Sequence, residues 1–220
     1  MKDPDLSPGL YHQDYPQTVG EEISNSISHG VGFLAAVAIT PILILKAHGA
    51  AAIVGVSIFG ATMMMLYLAS TLYHAFPHSR TKQVFKLFDH CAIFLLIAGT
   101  YSPFTLTVLY GAWGWSLFGV TWALAAAGIV LKSVRDVKSD KLSTALYLGM
   151  GWLAVVAAKP LYDALPFWGL FWLMGGGVMY SAGVLFFVYD HRLKYAHFVW
   201  HLFVLAGTAC HVIALMGFAL

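Results

Sequence analysis

Apolar residues fill seven stretches of the chain, near 26–45, 52–75, 88–109, 114–132, 142–160, 166–189 and 196–218. Each approaches the roughly 20 residues an α-helix needs to cross a bilayer. Turn-formers and charges punctuate them: Pro77-His78-Ser79-Arg80, Gly111-Ala112-Trp113-Gly114, the charged run from Lys132 to Lys141, Lys159-Pro160 with Pro166, and Asp190-His191-Arg192. The pattern predicts an all-α integral membrane protein, seven transmembrane helices within residues 21–220. A mobile cytoplasmic tail precedes them at 1–20, carrying Pro4, Pro8 and Pro16. No internal repeat points to an inverted-repeat transporter.

Composition agrees. Of 220 residues, 60% are hydrophobic and 10% charged, with mean hydropathy +0.76, whereas soluble domains carry about 25% charged residues. A net charge of +2 without a basic tract gives no reason to expect nucleic acid. Cys91 and Cys210 sit inside apolar segments without CxxC spacing and read as small buried hydrophobes. The N-terminus is acidic rather than basic (Asp3, Asp5, Asp14, Glu21, Glu22), so the first span, not a cleaved signal peptide, is expected to direct insertion.

Charge distribution adds an orientation. With the N-terminus in the cytoplasm, the inner segments hold Lys2, Arg80, Lys82, Lys86, Lys132, Arg135, Lys138, Lys141, Arg192 and Lys194, and the outer ones only Lys46 and Lys159. That bias predicts N-in, C-out, in what would be a bacterial inner (plasma) membrane. Tyr110, Trp113, Trp115, Phe167, Trp168 and Trp172 then fall at outer span ends as an aromatic belt, and Gly175, Gly176, Gly177 and Gly183 suit close helix packing.

Ionisable side chains at membrane depth usually face a partner, a cavity or a metal. Alternation of the spans brings Glu22, Asn25 and His29 of the first, Ser70 and His74 of the second, Asp89 and His90 of the third, and His197 and His201 of the seventh to one depth near the cytoplasmic side. His197 and His201 are spaced i, i+4, on one helix face. With His74 as third ligand they form a centre suited to Zn2+, since neutral imidazole is a good zinc ligand and three protein ligands leave a position open. Asp89 could hold a ligand histidine or take a proton from water at the metal.

Simpler readings stand beside these. The histidine pair could make only helix-to-helix hydrogen bonds. Ser70 could bond back to its own helix, Asp89 could cap the third helix, and Glu22 with Asn25 could cap the first. His90, next to Asp89, is expected to point elsewhere. His12, His48, His78 and His191 fall in the tail or loops. His211 lies some 15 Å beyond His201 along the helix, too far for the same ion, and reads as a buried hydrogen-bonding histidine.

Taken together, Glu22-xx-Asn25-xxx-His29, Ser70-xxx-His74, Asp89 and His197-xxx-His201 resemble the motif set of the hemolysin III family, the bacterial branch of the progestin and adipoQ receptor membrane proteins. The stretches "EEISNSISHGVG", "LYLASTLYHAFPH", "FDHCAIFLLIAGTYSPF" and "YLGMGWL" extend the likeness from about residue 18 to the C-terminus. The resemblance implies seven helices around a cytoplasm-side zinc held by His74, His197 and His201, with Asp89 and Ser70 beside its water. The wider superfamily includes lipid-amide hydrolases and receptors, and the bacterial name comes from a cytolytic phenotype.

Three functions follow as expectations. The first is a zinc-dependent intramembrane hydrolase of a lipid amide or ester, with Asp89 as general base, Ser70 orienting water, and a membrane lipid as partner whose acyl chain enters between helices. The second is a receptor or sensor of membrane state with structural zinc. The third is a cytolysin, which fits poorly with a polytopic chain that lacks an amphipathic pore-forming stretch. A retinal protein is excluded because the seventh span has no internal lysine.

Overall fold

The computed structural model describes residues 17–77, 79–134 and 140–220, with side chains omitted at 134, 140 and 141. Most of the expected tail, with His12, lies outside the described residues, as do His78, Arg135 and Lys138. The helices are α1 (Val19–Lys46), α2 (Ala50–Ala75), α3 (Arg80–Leu106), α4 (Ala112–Val134), α5 (Asp140–Gly151), α6 (Ala158–Ala164), α7 (Phe167–Val188) and α8 (Ala196–Phe218). A 3-10 segment, Trp152–Ala157, joins α5 to α6. Seven helical segments among the described residues are long and apolar enough to cross a membrane, the fifth being Leu142–Ala164.

Two helices begin well before their apolar runs, because local caps extend them into polar sequence. Thr18 opens α1: its hydroxyl accepts from the Glu21 amide (3.3 Å), while the Glu21 carboxylate accepts from the Thr18 amide (2.9 Å). This capping box satisfies amides that the helix start leaves bare. Glu22 and Asn25 are therefore not the cap of the first span. Ser79 caps α3 through the Lys82 amide (3.2 Å), which places Asp89 about two and a half turns inside the helix and rules it out as a cap.

The spans differ in how tightly they pack. Helices α1, α2, α3 and α8 surround a common core containing Leu43, Phe59, Met63, Tyr67, Leu96 and Leu215. Glycines bring α7 against α8: a Cβ on Gly183 would run into Trp200 and Phe203, and one on Gly176 into the His211 ring. The fifth span meets α3, α4 and α7 only sparsely. It is also broken. The Tyr101 hydroxyl of α3 accepts from the Ala154 amide (2.8 Å) and lies against the carbonyls of Met150 (3.0 Å) and Gly151 (2.8 Å), taking over backbone groups that a continuous helix would pair internally. Pro160, expected in a loop, falls in the first turn of α6, where its missing amide does little harm.

Beside this break lies an elongated cavity of about 140 Å³, walled mainly by apolar side chains of α3, the fifth span, α7 and α8. Trp152, Val155 and Met174 line it and are also exposed on the outer face of the bundle, so the cavity reaches the surface that a lipid chain would touch.

Candidate metal centre

His74 ends α2, and His197 and His201 occupy the first turns of α8. Alternation of the spans brings those two ends together. One potential ligand atom from each of the three lies within 4.8 Å of the others, and the ring centroids stand 4.8–5.2 Å apart. His74 and His201 are buried and His197 nearly so.

The opposite ring nitrogens show how the rings are held. His74 Nδ1 donates to Glu22 Oε2 (2.8 Å) and His197 Nδ1 to Asp190 Oδ2 (2.9 Å). His201 Nδ1 lies 3.0 Å from Ser28 Oγ and 3.2 Å from the Asn25 carbonyl, to which the Ser28 hydroxyl itself donates (2.8 Å). In all three histidines Nδ1 is engaged by groups that take its proton in a hydrogen bond, so the lone pair falls on Nε2. His74 Nε2 is buried without a hydrogen-bond partner among the described residues. Three convergent imidazole lone pairs, each oriented by an outer carboxylate, hydroxyl or carbonyl, match the donor chemistry of a zinc site.

A buried ionic frame supports the centre. Lys82 Nζ meets Glu22 Oε1 at 2.9 Å and donates to the carbonyls of Tyr73 (2.9 Å) and Phe76 (3.2 Å). The cation thus satisfies the end of α2, where helix carbonyls lack partners, and holds the carboxylate that orients His74. At the start of α8, Tyr195 adopts a left-handed conformation (φ 60°), unusual for a residue with a side chain. Its amide donates to Glu21 Oε1 (2.8 Å). The first turn of α1 thereby fixes the turn that presents His197.

Asp89 is 6% exposed and lines a small cavity of about 20 Å³ with His29, His90, His197 and His201. About 10–15 Å³ suffices for one water, so this space suits a single small occupant. Ser70 is fully buried and faces Asp89; among the described residues its hydroxyl makes no hydrogen bond of good geometry, and the back-bond to its own helix is not formed. His90 does not point elsewhere, as expected from its neighbour, but lines the same cavity. His29 stacks on His201, centroids 3.6 Å apart and planes 6° apart, and neither of its nitrogens has a hydrogen-bond partner among the described residues. The Asn25 amide donates to Gln17 Oε1 (2.8 Å).

His211 stands apart, as its position along α8 required. Its Nε2 donates to the Leu173 carbonyl at 3.1 Å. Cys91 and Cys210 are free thiols. Sequence reasoning missed Asp190, Glu21 and Ser28. Ser28 was accessible, three residues after Asn25 on one face of the first helix. Asp190 gave no signal, because it sits in an irregular turn whose path depends on Tyr195.

The small cavity and the large apolar one share Leu66, Ile93, Trp200 and Val204 as walls. Those four side chains separate the histidine cluster from the apolar cavity, which lies directly behind them.

Comparison with known proteins sharpens this. The family model described as "Haemolysin-III related" matches residues 17–212. The chain is 45% identical to Hemolysin-3 of Bacillus cereus over 196 residues, covering 88% of this chain and 89% of that one. It is 44% identical to the Hemolysin-3 homolog of Bacillus subtilis (strain 168) over 195 residues, 87% and 91% of the two chains. The human Monocyte to macrophage differentiation factor is 29% identical over 163 residues, 72% and 67% of the two.

Proposed function

This chain belongs to the haemolysin-III related family, and within it we propose that the chain is a zinc-dependent intramembrane hydrolase acting on the amide or ester bond of a membrane lipid. The observation that carries the reading is the three histidines with engaged Nδ1 atoms, set beside a buried carboxylate and one wall of side chains away from an apolar cavity.

His74, His197 and His201 would hold the ion through Nε2. Bound zinc would supply Lewis acidity, which acidifies water and polarises a carbonyl. Asp89 takes and returns the proton that hydrolysis moves, as a general acid–base, and its place in the small cavity brings it within reach of a reacting water. Ser70, whose hydroxyl is unspent, orients that water or the carboxylate. Leu66, Ile93, Trp200 and Val204 guide the acyl chain away from the polar end and exclude bulk water. We assign the histidine end to the cytoplasmic side of a bacterial plasma membrane on the charge bias, so that the lipid enters from the inner leaflet.

One observation favours a second reading. His29 lies against His201 with both nitrogens unpartnered among the described residues. Turned out of this stack, it would supply a fourth nitrogen donor that closes the coordination sphere and makes the metal structural, as in a receptor or membrane-state sensor.

The test is metal analysis and turnover on purified protein. Wild type should carry near one equivalent of zinc and release fatty acid from an N-acyl lipid. Asp89→Asn should keep the zinc and lose the release. Turnover that survives in Asp89→Asn removes the aspartate from the chemistry. Zinc without turnover in wild type, and lost when His29 is replaced, favours the structural reading.

A further inference from the structure

One lysine departs from what its place in the sequence suggests. Lys82 counts there among the cations of an inner segment, where a lysine ordinarily keeps its ammonium in water. The structure buries it: the residue is 8% exposed, while Arg80, two residues away, is exposed. Its backbone is fixed as well, since its amide donates to Ser79 Oγ (3.2 Å) in the cap of α3. The ammonium lies over the Tyr73 ring, 4.7 Å from its centroid.

A protonated lysine has three hydrogens to donate, and here three acceptors lie within reach. They are Glu22 Oε1 (2.9 Å), the Tyr73 carbonyl (2.9 Å) and the Phe76 carbonyl (3.2 Å). All three surround His74. Tyr73 precedes it, Phe76 follows two residues later, and the other Glu22 oxygen accepts from His74 Nδ1 (2.8 Å). With its donors spent in this way, the ammonium has none left for a substrate. It holds the backbone on both sides of His74 and the carboxylate behind its ring.

Of the three clustered histidines, His197 and His201 share α8, and only His74 comes from another helix. An ion held by all three ties α2 to α8, and it leaves most readily when the His74 ring swings away. We infer that Lys82 is the positioning residue that locks His74 in place and so sets how long the centre retains its zinc. This rests on the proposed zinc site. The Glu22 side chain is 17% exposed, so its carboxylate has an outlet to water. Released from the cation, it turns outward and gives up the His74 ring.

The experiment measures zinc release from zinc-loaded full-length protein in detergent, with a chelator in excess, beside the melting temperature of the metal-free protein. Lys82→Met keeps the stem and loses all three donors. It should release zinc about 10–100-fold faster than wild type, the scale of loss when an outer partner of a ligand histidine is removed. Lys82→Gln can still donate to the helix-end carbonyls but carries no charge for Glu22. It should also release zinc faster than wild type, with a metal-free melting temperature nearer to wild type than that of Lys82→Met, and it carries the test if Lys82→Met does not fold. In Lys82→Met/Glu22→Gln the two effects should fall short of their product, because both loosen the same ring. Release at the wild-type rate overturns the inference; a lowered metal-free melting temperature with unchanged release leaves Lys82 a cap of α2 and nothing more. Effects that multiply in the double variant put Lys82 on a separate path and also overturn it. Absence of zinc from wild type overturns the inference together with the metal centre on which it rests.

Discussion

The histidine centre and the fifth span solve opposite problems. At the histidine end, α1 packs against both α2 and α8, and the carboxylates around the rings are paired: Glu22 with His74 and Lys82, Asp190 with His197, Glu21 with Thr18 and Tyr195. Charges far from bulk water persist only when paired, so this region is rigid by necessity. At the fifth span the helix breaks into a 3-10 segment, packs sparsely and faces a cavity. Its polar links include the Tyr101 hydroxyl, the Trp152–Ser181 bond (3.0 Å) and the Tyr147 hydroxyl donating to the His90 carbonyl (2.9 Å). The contrast teaches a division of labour: the dense end fixes side-chain geometry, and the loose end leaves space beside the broken helix.

The division can be broken most severely at the ligands. His197→Ala should lose bound zinc entirely, whereas Tyr101→Phe should keep full stoichiometry; metal analysis of both decides whether the two regions are separate. Next come the carboxylates behind the rings. Glu22→Gln and Asp190→Asn should each weaken zinc binding about 10–100-fold, as loss of an outer partner of a ligand histidine does, measured by competition with a chelator. A smaller effect belongs to the loose end. Tyr101→Phe leaves an amide and carbonyls of the break unsatisfied and should destabilise by about 1–3 kcal/mol, with faster amide exchange around 150–157 and none near His201. The smallest is at the surface. The exposed Lys159–Asp163 pair (2.7 Å) should contribute at most about 1 kcal/mol, and Lys159→Ala should leave the melting temperature and zinc content nearly unchanged.

Much of this architecture was legible before any coordinates. Seven apolar runs give seven spans because a helix in lipid must satisfy its own backbone, and length and apolarity alone then mark it. The polar residues that alternation brings to one depth, His74, Asp89, His197 and His201, do meet around one site. What escaped was of two kinds. Helix starts at Val19 and Arg80 were hidden because caps at Thr18 and Ser79 carry helix into polar sequence. The partners Glu21 and Asp190 were hidden because they act across elements, through a turn whose left-handed residue, Tyr195, has no mark in sequence.

Sequence sufficed for the membrane class, the span count and the common level of the histidines along their helices, since each depends on local periodicity and on counting turns along a helix. Tertiary structure alone decided which nitrogen of each histidine is committed, that the fifth span breaks beside a cavity, and that His211 and Tyr180 meet along it. Those depend on the rotation of each helix about its own axis and on which neighbour it faces. Packing of glycines against rings at Gly176 and Gly183 sets these, and no single helix encodes them.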